Sequence, residues 1–107
     1  MKFTCTVTIG RNIGEEPMND SNWAAFRSDV SNLIINLTST HDRYTMDALT
    51  TVGRYLDTVE ESATYVFAAD VFAIATMRPL LYKLARHYSQ ECIALVMGTT
   101  DLIGLDS

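Results

Sequence analysis

The stretch Glu60-Glu61-Ser62-Ala63-Thr64-Tyr65-Val66-Phe67-Ala68-Ala69-Asp70 constrains this chain more than any other. Tyr65 and Phe67 fall on one side of it and Thr64 and Val66 on the other. Aromatic and β-branched residues on a period of two mark a strand with one buried face. Lys2 to Ile9 repeats the pattern, with Phe3, Cys5, Val7 and Ile9 on one face and Lys2, Thr4, Thr6 and Thr8 on the other. Two such strands need a further layer to cover their apolar sides.

Helical spacing supplies that layer. Asn19, Asp20 and Ser21 are candidate N-caps, and Trp23, Phe26, Val30, Leu33, Ile34 and Leu37 then recur three and four apart. This predicts an amphipathic helix that stops near Leu37, before the polar run Thr38–Asp42. A second helix is placed by Pro79, because proline is tolerated in a first turn and costs about 3 kcal/mol deeper inside. The N-cap is therefore expected at Thr76, with Leu80, Leu81, Leu84, Ala85 and Tyr88 buried and Lys83, Arg86 and His87 near the negative end of the dipole. Val71–Ala75, apolar throughout, reads equally as strand or helix.

The remaining segments are less regular. Gly10–Pro17 reads as a loop. Within 43–58 a strand with a bulge or bend at Gly53 is expected, a short helix over Met46–Tyr55 being the alternative, and Asp57–Glu61 is expected to connect it to the next strand. Cys92–Gly98 is a short apolar strand, and Leu102, Ile103 and Leu105 imply that part of the tail Thr99–Ser107 packs. The order strand, helix, strand, strand, helix, strand predicts a ferredoxin-like βαββαβ sandwich. Four antiparallel strands would carry two helices on one face, with the first and third strands central.

At 107 residues the whole chain, 1–107, is expected to form one domain. Its formal charge of −5 and scattered basic residues argue against direct nucleic-acid binding. No signal-type segment opens it and no apolar run is long enough to span a bilayer, so a cytoplasmic location and no membrane partner are expected. Cys5 and Cys92 lie in different elements without metal-type spacing. They read as small core or sheet residues, a disulfide being the lesser alternative.

No catalytic pattern stands out, and neither a metal site nor a cofactor is expected. Gly10-Arg11-Asn12-Ile13-Gly14 matches no nucleotide-binding fingerprint, although Arg11 and Asn12 sit where a strand hands over to a helix. Glu60 and Glu61, being adjacent, point to opposite faces and do not make an acid/base dyad. His41 and His87 lack ligand spacing. The face away from the helices is expected to present Thr4, Thr6, Thr8, Thr64, Val66 and Ala68, and from the last strand Cys92, Ala94 and Val96. An uncharged sheet surface of this kind suits an interface.

Three segments, Thr8–Asn12, Glu60–Ser62 and Ala85–Leu95, resemble a group of small ferredoxin-like proteins of bacteria and their phages. The resemblance runs over most of the chain, with residues 38–58 departing furthest. It implies the ferredoxin-like fold and a phage origin, hence a host cytoplasm, and brings no catalytic residue with it.

Two functions are consistent with these features. The first is a non-enzymatic protein-interaction module, a homodimer or an inhibitor of a host defence protein, acting through the sheet face. The second is a small-ligand-binding protein or small enzyme with a pocket at the sheet edge and loops, using Arg11, Asn12, Arg54, Tyr55, Glu60 and Glu61, with His87 as a further polar group.

Overall fold

The computed structural model describes residues 2–38, 48–55 and 58–98, with side chains described outside 48–59. The elements are β1 (Phe3–Gly10), β2 (Asn12–Ile13), β3 (Glu16–Pro17), α1 (Asp20–Leu37), β4 (Ala48–Tyr55), β5 (Thr58–Ala69), α2 (Val71–His87) and β6 (Ala94–Gly98). It is an α+β fold of two helices on an antiparallel sheet, with a separate two-stranded ribbon of β2 and β3. The large sheet runs in the order β4-β5-β1-β6.

Register follows from the alternation seen in the sequence. Val7 lies opposite Tyr65 and Cys5 opposite Phe67, so the odd-numbered residues of both strands share one face. That face is buried: Cys5, Val7, Ile9, Ala63, Tyr65, Phe67 and Ala69 meet Trp23, Phe26, Val30 and Ile34 of α1 and Ile74, Met77 and Leu81 of α2. Burial of this apolar stripe, at roughly 25 cal/mol per Å², is what holds the layers together. Aromatic contacts tie the helices to each other through Phe26, which stacks on Tyr88 with ring centroids 4.5 Å apart.

Helix α1 begins and ends where the sequence indicates. The Asn19 side chain accepts from the Asn22 N–H at 2.7 Å, and the Thr38 N–H and hydroxyl both donate to the Ile34 carbonyl. Helix α2 departs from expectation. Its N-cap is Asp70, whose carboxylate accepts from the Ala73 N–H at 2.8 Å, so the helix starts at Val71 and not after Thr76. Pro79 consequently lies in the helix interior. A well-capped first turn plus burial of Ile74 and Met77 outweighs the hydrogen bond that the proline forfeits.

The other end of α2 closes through a left-handed residue. Ser89 has φ 56°, its N–H donates to the Arg86 carbonyl at 3.2 Å, and the Gln90 N–H donates to the Ala85 carbonyl at 2.7 Å. This pair of bonds is a Schellman closure, with serine where glycine is usual.

Four smaller expectations are revised. The loop Gly10–Pro17 contains the β2–β3 hairpin, its turn made possible by Gly14 at φ 63°. Gly53 sits in unbroken register opposite Glu60, so β4 is a strand without a bulge. Strand β5 begins at Thr58, earlier than the expected connection allowed. Cys92 lies before β6 and is exposed, whereas Cys5 is buried; both are free thiols, and burial raises the Cys5 thiol pKa. The readings of the tail Thr99–Ser107 and of His41 lie outside the described residues.

Candidate functional site

The polar residues singled out in the sequence converge at one end of the sheet. Strand β1 rises to Gly10 and β5 descends from Thr58, so Gly10 and Ser62 are paired and the next residues, Arg11 and Glu61, face each other. The Arg11 N–H donates to the Glu61 carbonyl at 2.9 Å. Its guanidinium then donates through Nη1 to Glu61 Oε2 at 2.8 Å, through Nη2 to Asp20 Oδ1 at 2.6 Å and through Nε to the Met18 carbonyl at 2.8 Å. Its side chain is only 17% exposed, and these bonds raise its pKa, that to Asp20 first and that to Glu61 next. Arg11 is therefore a clamp that positions Glu61 and the start of α1.

Glu60, on the opposite face of β5, reaches back over β1. Its Oε2 accepts from the Asn12 N–H at 2.9 Å, and its carboxylate lies against the α-carbon of Gly10. A side chain on residue 10 would collide with it, Glu60 Cδ standing 2.6 Å from the position of a Cβ there. The Asn12 carbonyl accepts from Gln90 Nε2 at 3.0 Å, which brings the α2–β6 connection into the same cluster. The sequence offered Asp20 only as an N-cap candidate and gave Gln90 no site role, because both enter the cluster only through contacts across the fold.

Arg54 and Tyr55 belong to this end by register: Arg54 pairs with Val59 and Tyr55 with Thr58. Their side chains lie outside the described ones. His87 is exposed at the last turn of α2, edge-on to Tyr88. Among the described residues an open groove of about 370 Å³ lies between the helices, lined by Asp29, Leu33, Leu37, Leu80 and Leu84, away from the polar cluster. Among the described residues no group of His, Cys, Asp and Glu is arranged to hold a metal, and no helix is long and apolar enough to cross a membrane.

The sheet face away from the helices carries the even-numbered positions of β1 and β5. Thr4, Thr6, Thr8, Thr64, Val66 and Ala68 alternate with the buried positions, and Ala94, Val96 and Gly98 lie opposite Thr8, Thr6 and Thr4. Cys92, expected there, is not in the strand. Thr8 and Thr64 share a hydroxyl hydrogen bond of 3.1 Å across the strands. Val66 and Val96 flank Thr6, and Val96 is 63% exposed.

Two buried donors belong to neither region. Among the described residues Trp23 Nε1 and Arg27 Nε meet no hydrogen-bond partner, and the Arg27 guanidinium lies over the Trp23 ring, 5.4 Å from its centroid. The Arg27 carbonyl accepts from the Tyr65 hydroxyl at 3.0 Å.

No protein-family model matches the chain, and no curated protein matches its sequence. Among solved structures it is similar to a phage SAM lyase in complex with S-methyl-5'-thioadenosine, with a TM-score of 0.59 and 12% identity. The match covers 92% of this chain and 81% of the other. At that identity the likeness is one of fold.

Proposed function

We propose that this chain is a small phage-type protein of ferredoxin-like fold that binds an S-adenosyl sulfonium, or the thioether nucleoside left when it is cleaved, and acts on the sulfonium as a lyase. The observation that carries this reading is the gathering of Arg11, Asn12, Glu60 and Glu61 at the sheet end to which β4 delivers Arg54 and Tyr55. The strand order β4-β5-β1-β6, with a helix after β1 and another after β5, supports the ferredoxin-like assignment.

The chemistry of the cluster suits such a ligand. A sulfonium carries a positive charge that a partly buried carboxylate offsets; Glu60 is assigned to it, since Glu61 already meets the Arg11 guanidinium. Arg11 is committed to its three acceptors, so Arg54 is the cation assigned to a ligand carboxylate and Tyr55 the ring assigned to a purine. Breaking a carbon–sulfur bond of the sulfonium passes the bond pair to sulfur as a neutral thioether. The ligand's own carboxylate supplies the pair for the new carbon–oxygen bond at the released carbon, so that charge and atoms balance without a co-reactant.

The test is incubation of the protein with S-adenosylmethionine, following S-methyl-5'-thioadenosine by chromatography, with calorimetric titration of both compounds. Release and binding that fall at least tenfold in Glu60→Gln or Arg54→Ala are expected. Neither release nor binding at millimolar ligand would refute the reading.

The uncharged sheet face favours a second reading, a non-enzymatic interaction with a second copy or a host protein. Its support is the run of Val66, Thr6 and Val96 across three strands without a charge. A lysine at its centre, Thr6→Lys, should abolish association. Unchanged oligomeric state and partner capture in that variant would remove the sheet face from consideration.

A further inference from the structure

Charge is unevenly divided along this chain. Helix α2, Val71–His87, contains Arg78, Lys83 and Arg86 and no Asp or Glu, a formal +3 in a molecule of −5, so the rest of the chain carries −5 − 3 = −8. All three basic side chains are exposed. With Leu81 and Ala85 buried against the core, Pro79, Lys83 and Arg86 take the opposite, outward side of the helix, and Tyr82 flanks them at 62% exposure. The Arg86 guanidinium rests over the Tyr82 ring, 5.9 Å from its centroid, so a positive charge and an aromatic surface are presented together.

The β2–β3 hairpin has the complementary character. It projects Glu15 and Glu16, both exposed, beside Ile13, which is 43% exposed. Gly14 at φ 63° makes the turn tight, and the base is held by the Met18 N–H donating to the Arg11 carbonyl at 2.9 Å and by Gln90 on Asn12. A protrusion already fixed in shape loses little entropy on docking. The ion pairs of Arg11 run to Asp20 and Glu61, and neither joins the hairpin to α2.

We propose that the β2–β3 hairpin of one copy docks on α2 of a second copy, Glu15 and Glu16 meeting Lys83 and Arg86 while Ile13 packs on Tyr82. Lys83 and Arg86, three apart on the helix, have Cβ atoms about 5–6 Å from each other and so form one basic patch for the hairpin's carboxylates. The overall repulsion of two acidic copies is screened beyond about 8 Å at physiological ionic strength, so the local pairing governs the contact. The two surfaces differ, so the contact is head-to-tail: it closes into a ring or extends as an open chain of copies.

Charge exchange tests the proposal. Native mass spectrometry and sedimentation equilibrium would be run on the full chain, on Glu15→Lys/Glu16→Lys, on Lys83→Glu/Arg86→Glu, and on the variant combining all four changes. Circular dichroism would confirm that each is folded; mixing the two folded double variants, which pairs one intact hairpin with one intact helix, gives a second measurement. The expected result is self-association of the natural chain, at least a tenfold rise in dissociation constant for each double variant, and recovery in the combined one. A monomeric natural chain overturns the proposal. So does association unaltered by either reversal, or association lost in Thr6→Lys and indifferent to the exchanged charges.

Discussion

Arg11 Nη1 donates to Glu61 Oε2 at 2.8 Å, joining the end of β1 to the start of β5 across fifty positions of chain. The same guanidinium carries the Met18 carbonyl and Asp20. The Asp20 arm contributes little, since that carboxylate is 98% exposed; the other two, on a side chain 17% exposed, carry the effect. Arg11→Ala should lower the thermal midpoint by on the order of 5 °C. Arg11→Lys should not restore it, because an ammonium cannot reproduce the planar fork. Thermal denaturation of the three proteins by circular dichroism checks both statements.

Gly10→Ala is a sharper probe of the cluster. The added methyl displaces the Glu60 carboxylate and leaves the Asn12 N–H without its acceptor. A loss of about 1–2 kcal/mol in urea denaturation is expected. Glu60→Gln, which keeps an acceptor oxygen, should cost less. Equal losses would mean that the charge of the Glu60 carboxylate at the Asn12 N–H, and not crowding at residue 10, sets the penalty.

Helix α2 carries two local costs that substitutions should relieve. Ser89 holds φ 56° without being glycine, so Ser89→Gly should stabilise by about 0.5–1 kcal/mol. Pro79 is exposed in the helix interior, and Pro79→Ala should stabilise by up to about 3 kcal/mol through the restored N–H donor. Guanidinium denaturation should show the two gains adding, as the sites lie far apart on the helix and share no partner.

Alkaline pH should weaken the fold. Burial pushes the Tyr65 hydroxyl up to about 12 from its ordinary 10.0, with Arg27 acting in the opposite sense. Between those values the unfolded chain has released the proton while the folded chain retains it. The stability contribution is therefore full below pH 10 and is lost as pH rises toward 12, on the order of 2 kcal/mol for this residue. Tyr88 adds a contribution of the same sign, raised to about 12 by burial and then by its bond to Asp29. Stability measured from pH 8 to 12 should fall less steeply in Tyr65→Phe than in the natural chain.

The odd-numbered face of β1, the Tyr65–Phe67 face of β5 and the Trp23-to-Leu37 stripe of α1 were legible because periodicity reports how each element is buried. Arg11, Asn12, Glu60 and Glu61 could be named as polar groups near strand ends. Which carboxylate met which donor could not, because a register shift by one residue would exchange the faces of Glu60 and Glu61. The start of α2 was misjudged at Thr76 for a related reason. Proline's local cost was weighed without the burial of Ile74 and Met77 that offsets it, and that burial exists only once α2 lies on the sheet.

By itself, then, the amino-acid order determined the order of the main strands and helices and the apolar faces of β1, β5 and α1, but not the β2–β3 hairpin or the start of α2. These depend on side-chain spacing within a dozen residues. The tertiary structure alone decided the β4-β5-β1-β6 order, the Arg11–Glu61 and Asn12–Glu60 contacts, and the separation of a basic α2 surface from an acidic hairpin. Those depend on which distant segments share the core, a choice made by the summed burial of the whole chain and by no local stretch of it.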